Sequence, residues 1–444
     1  MSSLRSLSRP WIQLVGKEWR ELVVSRAWWV LIFLVGPLVG VTFIGAVRTY
    51  AEASGLGGTS AGVGEAFSPL DGIWVPTFVA YEIAATFLLP FVAIRLVAGD
   101  RQSGALKLEL QHPMSPLSRI AAKALVLFGG WCLASVPALI AGILWKMYGG
   151  STYPPELTSV VLGYLLNAGL TIALAAAVAS IAENPSTAAI LMLSFTVGTW
   201  ILGFIASMHG GLWEQIAKFT PEAMLDRFQH GLIQLGTALV ALVFIVTSLA
   251  VAAVWIRLGA STRRRALESA GLVAVAAILV VACTFVHLSW DVSENRRNSF
   301  SEADQKALEL IKSPLRIEAH LAPEDPRRSD LEHGAFSKLR RVLPSVKVRY
   351  VSATSIGLFE QANTGYGEVW YDLGGKRTMN RLTTGEAVLE TIYGLAGVTP
   401  PQETKPPFAG HPLVAAPRGA AVILYGLWPA LVAGFGFLVS RRKA

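Results

Sequence analysis

Charged residues and cysteine are both scarce in this sequence of 444 residues. Asp, Glu, Lys and Arg make up 15% of the chain, whereas soluble domains contain about 25% charged residues. The two cysteines, Cys132 and Cys283, lie in different apolar stretches, so the sequence indicates neither a disulfide framework nor a cysteine metal site. These shortages argue against a soluble enzyme.

Sequence motifs of catalysis are also missing. No segment fits the phosphate-binding pattern Gly-x-x-x-x-Gly-Lys-Ser/Thr, and residues 374–378 (GGKRT) lack its spacing. The sequence contains neither a Gly-x-Ser-x-Gly elbow nor a His-Glu-x-x-His pair, and its seven histidines are scattered. We therefore predict a non-catalytic chain that binds no metal or cofactor itself and does not hydrolyse ATP.

Apolar residues, in contrast, are abundant and gathered into long runs. A helix needs about 20 such residues to cross a hydrocarbon core about 30 Å thick. Eight runs meet this requirement, at residues 27–47, 74–98, 121–145, 158–181, 187–207, 236–255, 267–288 and 419–439. The first run lies too far into the chain and is too long for a cleaved signal peptide. In residues 10–25, before this run, apolar side chains recur at helical spacing among charged ones, which predicts an amphipathic helix in the membrane interface. The sequence thus predicts a polytopic α-helical membrane protein.

The net charge of +8 could indicate nucleic-acid binding, but the bases cluster beside the apolar runs. With the amino terminus inside, every basic cluster falls in a cytoplasmic loop or in the tail, as membrane topology requires. We therefore predict no nucleic-acid partner, both termini in the cytoplasm, and residues 289–418 outside a bacterial inner membrane.

The outer segment has nearly equal numbers of acids and bases and alternates strand and helix patterns, which favours a small α/β domain over 289–396. Helices are predicted from Ser301, over 328–342 and over 384–395. Strands are predicted at 315–321, 346–351, 368–373 and 376–381, the last two joined by a Gly374-Gly375 hairpin turn. Residues 397–418 resemble a proline-rich linker to the final span and basic tail, 419–444.

The loop after the second span carries an acid and arginine, then Gly-Ala-Leu, apolar residues, Pro-x-Ser and a lysine eight positions later. It resembles the first cytoplasmic loop of type-2 ABC exporter permeases, although Ala105 and Glu109 depart from the family pattern. The resemblance implies a permease domain over 1–266, in which 210–234 dips into the outer leaflet as short helices. It also implies a short helix at residues 106–110, although the alternation of apolar and charged residues there would by itself suggest a strand. The alternative is an ordinary basic loop. The implied ATPase-coupling residues are Asp100, Arg101, Gly104, Leu106, Leu110, Pro113, Ser115 and Lys123.

A second resemblance begins at residues 291–301 (DVSENRRNSFS). This segment is similar to the start of the auxiliary component of gliding-motility-type ABC systems, which follows a membrane span. In those systems the outer region is usually longer and often a separate chain. Here the resemblance implies a shortened auxiliary domain fused behind the permease through the seventh span, 267–288.

Glu82 is the notable charge within the spans. An ionised carboxylate there is costly unless it faces water or a partner. Glu82 could line a substrate path, or it could be paired or protonated in a helix interface, and the sequence leaves both open.

The resemblances imply an exporter permease driven by a separate ATPase, present in two copies, that holds the ATP and magnesium. A second permease copy or a related permease would complete the assembly in membrane lipid, with the first, second and fifth spans lining the path. A scaffold that transmits ATPase-driven motion to a periplasmic protein is the alternative. A secondary transporter is less favoured, because inverted repeats and several intramembrane charges are not evident. The transported substrate is not indicated.

Overall fold

A computed structural model describes residues 2–55, 68–102, 104, 114–209, 211–257, 259–322, 325–343, 345–351, 365–401 and 408–441, without the side chains of 2–10 and 101–102. Eight of the described helices are long and apolar enough to cross a membrane, which confirms the predicted helical membrane fold. In chain order, the spans are Arg26–Gly55, Leu70–Asp100, Pro116–Met147, Pro154–Ile181, Pro185–His209, Leu235–Trp255, Thr262–Thr284 and Val422–Arg441.

The remaining helices and the strands are numbered here in chain order. The non-spanning helices are α1 (Ser2–Val24), α2 (Gly211–Ala217), α3 (Pro221–Gln229), α4 (Glu302–Glu309), α5 (residues 326–342) and α6 (Gly385–Ala396). The strands are β1 (Leu232–Gln234), β2 (Ser289–Asp291), β3 (Leu315–Ala319), β4 (Lys347–Tyr350), β5 (Val369–Leu373) and β6 (Lys376–Asn380). Because consecutive spans alternate in direction, α1 and the end of the eighth span share one side of the bundle, called here the terminal side. The α/β domain lies on the opposite, domain side.

The third span is interrupted at Ser135, between Pro116–Ala134 and Val136–Met147. Pro137 explains the break, because its ring clashes with the preceding turn and it has no backbone N–H to donate. The Tyr81 hydroxyl of the second span accepts a hydrogen bond from the Ala138 backbone N–H at 3.0 Å. A side chain of a neighbouring span therefore supports the helix where proline interrupts it.

Burial differs sharply among the spans. The fourth span buries residues on all sides, from Glu156 to Ser180, and packs against the second, third and sixth spans. The fifth span buries only Ala188, Met192 and Ala206, and the seventh only Ala276 and Val280. The fourth span is thus the centre of the bundle, and the fifth and seventh present apolar faces outward.

The eighth span packs on the first through small residues. A Cβ atom added at Gly36 would lie 2.0 Å from Cδ1 of Trp428, and one at Gly40 would lie 2.5 Å from Cε1 of Tyr425. The Trp428 indole donates a hydrogen bond to the Ile32 carbonyl at 2.9 Å. Glycines four residues apart let the two helices approach closely, as in other membrane helix pairs.

The domain on the opposite side holds a four-stranded sheet in the order β4-β3-β5-β6. Strands β3 and β4 are parallel, and the other pairs are antiparallel. Gly374 and Gly375, both with positive φ, form the predicted two-residue hairpin between β5 and β6. Alternate residues of β3 and β5 are buried against α4, α5 and α6, which confirms the predicted α/β pattern.

A two-stranded ribbon joins the sixth and seventh spans on the domain side. Leu232 pairs with Asp291, and Gln234 pairs with Ser289. Residues 210–234 were expected to contain short helices, and α2 and α3 lie in this segment. The chain is extended from Leu232, because Gly231 adopts a positive φ of 77° after α3, and β2 then pairs with the extended residues.

Residues 408–418 of the predicted linker are irregular but lie against the ends of the spans. Tyr50 donates a hydrogen bond to the His411 carbonyl at 2.6 Å, and Tyr148 donates one to the Arg418 carbonyl at 2.8 Å. Leu413 packs against the main apolar core. This part of the linker is therefore attached to the bundle at two points, His411 and Arg418.

Candidate functional site

Gly104 and Ser115 lie at the two ends of the loop after the second span. Gly104 adopts a positive φ of 74°, a conformation that favours glycine at the turn out of the second span. At the other end, the Ser115 hydroxyl accepts a hydrogen bond from the Ser118 backbone N–H at 3.1 Å and caps the third span, with Pro116 as its first residue. The serine of the Pro-x-Ser motif thus caps a membrane helix.

Lys123 lies about two turns into the third span, and its ammonium group joins three helices. Nζ lies 2.7 Å from Oε2 of Glu18 in α1 and 2.5 Å from Oδ2 of Asp100 at the end of the second span. The Lys123 side chain is only 4% exposed, that of Glu18 is fully buried, and that of Asp100 is 10% exposed. We call Glu18, Asp100 and Lys123 the inner triad.

The inner triad is a desolvated charge cluster with a balancing cation at its edge. Burial raises the pKa of Glu18, and Lys123 and Lys17 oppose that rise. Nζ of Lys17 lies 3.5 Å from Glu18 and 3.0 Å from Glu21. The carboxylates of Glu18, Glu21 and Asp100 are close enough together to suggest a cation site. The Lys123 ammonium already contacts two of the three, so the cation among them is a side chain.

Close packing of α1 on the third span positions Glu18. A Cβ atom added at Gly130 would lie 2.8 Å from Cδ2 of Leu22 and 3.1 Å from the Trp28 ring, so only glycine leaves room there. A Cβ atom added at Gly129 would lie 3.4 Å from Cζ3 of Trp19. The predicted interfacial helix is therefore docked by one face on the terminal side of the bundle.

Four of the predicted coupling residues cannot be compared with contacts. Leu106, Leu110 and Pro113 lie outside the described residues, and so does the side chain of Arg101. Of the others, the structure brings Asp100 and Lys123 together and places Gly104 and Ser115 at the loop ends. Sequence analysis missed Glu18, which lies 105 residues from Lys123 in the chain. The only signal was an acid on the polar side of an amphipathic helix.

Glu82 lies where the second span meets α3. Its carboxylate is hydrogen-bonded by the Gln229 side chain, and Gln229 also donates to the Tyr164 hydroxyl at 2.6 Å. The charges of Glu222 and Asp226 in α3 act on this carboxylate. The structure thus places Glu82 in a polar contact between a span and a short helix, on the domain side.

A second set of contacts, which sequence analysis did not predict, joins the domain to the ends of the spans. Arg297 forms a bidentate ion pair with Asp71 at the start of the second span. The Glu294 backbone N–H donates to Glu156 at the start of the fourth span, at 2.6 Å. The side chain of Asn298 donates to the carbonyl of His230 at 2.8 Å. We call Asp71, Glu156, Glu294 and Arg297 the outer junction.

Comparison with known families fits this arrangement. Residues 12–230 match the family model described as ABC-2 family transporter protein. The match covers slightly less than half of the chain, from α1 to the end of α3, and includes the inner triad. It supports a permease subunit of an ABC transporter, a multi-pass membrane protein that works with an ABC ATPase. No curated protein matches the chain.

Proposed function

We propose that the chain is the membrane-spanning subunit of an ATP-driven exporter in a bacterial inner membrane. A separate ATPase, in two copies, holds ATP and magnesium, and a second permease copy or a related permease completes the assembly. The permease domain extends over residues 1–266, beyond the family match. The chain has no catalytic role of its own in this proposal.

The inner triad is the observation that carries the proposal. The loop of residues 99–119 leaves the second span beside Asp100 and enters the third span two turns before Lys123, so both loop ends meet the same buried cluster. Separating buried opposite charges costs several kcal/mol. A displacement applied to the loop would therefore move α1 and the second and third spans together.

The proposal assigns ATPase docking to Leu106 and Leu110, because apolar anchors dominate protein interfaces. Replacing both leucines with Asp should release the ATPase while the permease remains in the membrane. The matched control is Leu310→Asp with Leu382→Asp, since both of these leucines are exposed in the α/β domain. Copurification of the ATPase at wild-type yield with the loop variant would place the docking site elsewhere.

The proposal also fixes orientation, with the terminal side in the cytoplasm. Arg263 and Asp330 are both exposed and lie on opposite sides of the bundle. With both native cysteines replaced, Arg263→Cys should resist a membrane-impermeant thiol reagent in intact cells, and Asp330→Cys should react. The opposite labelling pattern would reverse the topology.

A second function is favoured by the outer junction, which connects the domain to the second and fourth spans. In this alternative, the chain is a scaffold whose spans pass ATPase-driven motion to a periplasmic protein without moving a solute. The α/β domain would then act as a shortened auxiliary domain of the gliding-motility type.

The two functions differ in whether the domain moves during ATP turnover. Spin labels at Lys376→Cys in the hairpin and Tyr153→Cys before the fourth span, with Cys132 and Cys283 replaced, report the distance between domain and bundle. The scaffold requires that distance to change when the copurified complex hydrolyses ATP. A distance that stays constant through the ATP cycle would contradict the scaffold and favour the exporter.

A further inference from the structure

A cavity of about 1560 Å³ lies on the domain side, between the short helices α2 and α3, the ends of the sixth and seventh spans, and α5 of the α/β domain. It is larger than the roughly 300–1,000 Å³ typical of small-molecule sites. Its walls therefore come from both the membrane region and the domain.

The acids that line the cavity already have basic partners. Glu214 lies 2.7 Å from Arg328, Asp226 lies 3.3 Å from His230, and Glu332 pairs with Arg340. Each acid of the wall therefore has a basic side chain beside it, an arginine for Glu214 and Glu332 and a histidine for Asp226.

Two arginines of the wall have neutral partners instead. Arg227 donates to the Gln234 side chain at 2.6 Å and to the Thr237 hydroxyl at 2.9 Å. Arg341 donates to the Asn298 carbonyl. Among the described residues, no carboxylate lies within 4.0 Å of either guanidinium, and burial lowers the pKa of both. Each has planar N–H donors suited to a phosphate or carboxylate group.

Another part of the wall is apolar and continues along the spans. Val240, Val286 and Leu288 line the cavity at the ends of the sixth and seventh spans. Phe285 and Leu288 are themselves 73% and 51% exposed, and the seventh span presents a long apolar face below them. A hydrocarbon chain that leaves the cavity along this face would remain in contact with apolar side chains.

We propose that the cavity binds the phosphate-bearing headgroup of an anionic lipid through Arg227 and Arg341, with the acyl chains along the seventh span. The inference goes beyond the proposed transport function. Its test uses the permease chain alone, so the result is independent of ATPase docking and solute movement.

The binding test uses the full chain purified in detergent and titrated with dioleoyl phosphatidylglycerol, dioleoyl phosphatidylcholine or inorganic phosphate, with bound lipid counted by native mass spectrometry. The variant Arg227→Gln with Arg341→Gln should bind phosphatidylglycerol roughly tenfold or more weakly, because each arginine contributes charge-assisted hydrogen bonds. The control is Arg316→Gln with Arg349→Gln, two exposed arginines in β3 and β4 outside the cavity, which should bind as wild type does.

Three results would overturn the proposal: unchanged phosphatidylglycerol binding by the double variant, equal binding of phosphatidylcholine, or inorganic phosphate that competes as strongly as the lipid. The last would show that the apolar wall contributes nothing and that the site takes a free anion. If the double variant fails to fold, benzoylphenylalanine at Leu288 provides an independent measurement. It should crosslink to phosphatidylglycerol in preference to phosphatidylcholine, and equal crosslinking would count against the proposal.

Discussion

The inner triad and the outer junction both connect separate helices through ion pairs, yet their surroundings differ. In the inner triad, the side chains of Glu18, Asp100 and Lys123 are at most 10% exposed. In the outer junction, Arg297 and Asp71 are 28% and 24% exposed. Water can replace a lost partner of the Arg297–Asp71 pair but not of the triad.

This difference indicates what each set of contacts can do. Removing one partner of a buried pair costs about 3–5 kcal/mol, whereas partly exposed pairs contribute about 0–1 kcal/mol each. The triad therefore keeps α1 and two spans together as one body. The Arg297–Asp71 pair can separate and reform at smaller cost. A rigid triad on the terminal side and a weaker ion pair on the domain side are compatible with either function proposed above.

The largest expected effect on stability comes from removing the ammonium group of Lys123 from the triad. Lys123→Met leaves two buried carboxylates facing each other and should lower the free energy of unfolding by about 3–5 kcal/mol. Thermal unfolding in detergent measures this loss. Lys146→Met, at the other end of the same span, is the control and should change little, because Lys146 is exposed. Equal losses in the two variants would remove the distinction between the triad and an exposed charge.

The features that could be predicted from the sequence are those encoded by residues close together in the chain. Span lengths and basic loops predicted eight helices, and Gly374-Gly375 predicted a hairpin, because each pattern is contained in a few adjacent residues. The partnership of Lys123 with Glu18 depends on how α1 packs against the third span, which no adjacent residues encode. The outer junction was missed for the same reason, since Asp71 and Arg297 are 226 residues apart.

The packing that holds α1 against the third span can be tested beside the charge. At Gly130, a Cβ atom would meet Leu22 and Trp28 at 2.8 and 3.1 Å, whereas at Gly129 it would make an ordinary 3.4 Å contact with Trp19. Gly130→Ala should therefore destabilise the protein by about 1–3 kcal/mol through overpacking. Gly129→Ala is the adjacent control and should remain near wild type. If both variants melt alike, α1 docks through the charges alone.

At the junction, loss of one charge should have a smaller effect. Arg297→Gln removes the ion pair with Asp71 and should lower stability by about 1 kcal/mol or less, because the pair is partly exposed and screened. The more sensitive measurement is amide hydrogen exchange in β1 and β2, which should become faster. Exchange in the third span near Lys123, on the terminal side, should be unchanged. The control Arg377→Gln breaks an exposed pair with Glu318 inside the domain and should leave β1 unaffected. A loss as large as that of Lys123→Met would contradict the comparison.

The smallest expected effect is a pH dependence at His230, beside the junction. Nε2 of His230 lies 3.3 Å from Asp226, and Nδ1 lies 3.5 Å from Asp71. The hydrogen bond with Asp226 raises the pKa of His230 against the opposing effect of burial. A raised pKa in the folded state means that the stabilisation is complete below the unfolded pKa of about 6.5 and is lost as the pH rises through the folded pKa.

Hydrogen exchange in β1 of the wild type should therefore accelerate, as the pH rises through the folded pKa, by more than the intrinsic rate of exchange does. The variant His230→Gln should abolish this excess. His333→Gln, in α5, is the control and should retain it. Because the imidazole is 42% exposed, the change should be smaller than that of Arg297→Gln. A His230→Gln variant that keeps the full pH dependence would assign it to another group and leave the junction held by Arg297 alone.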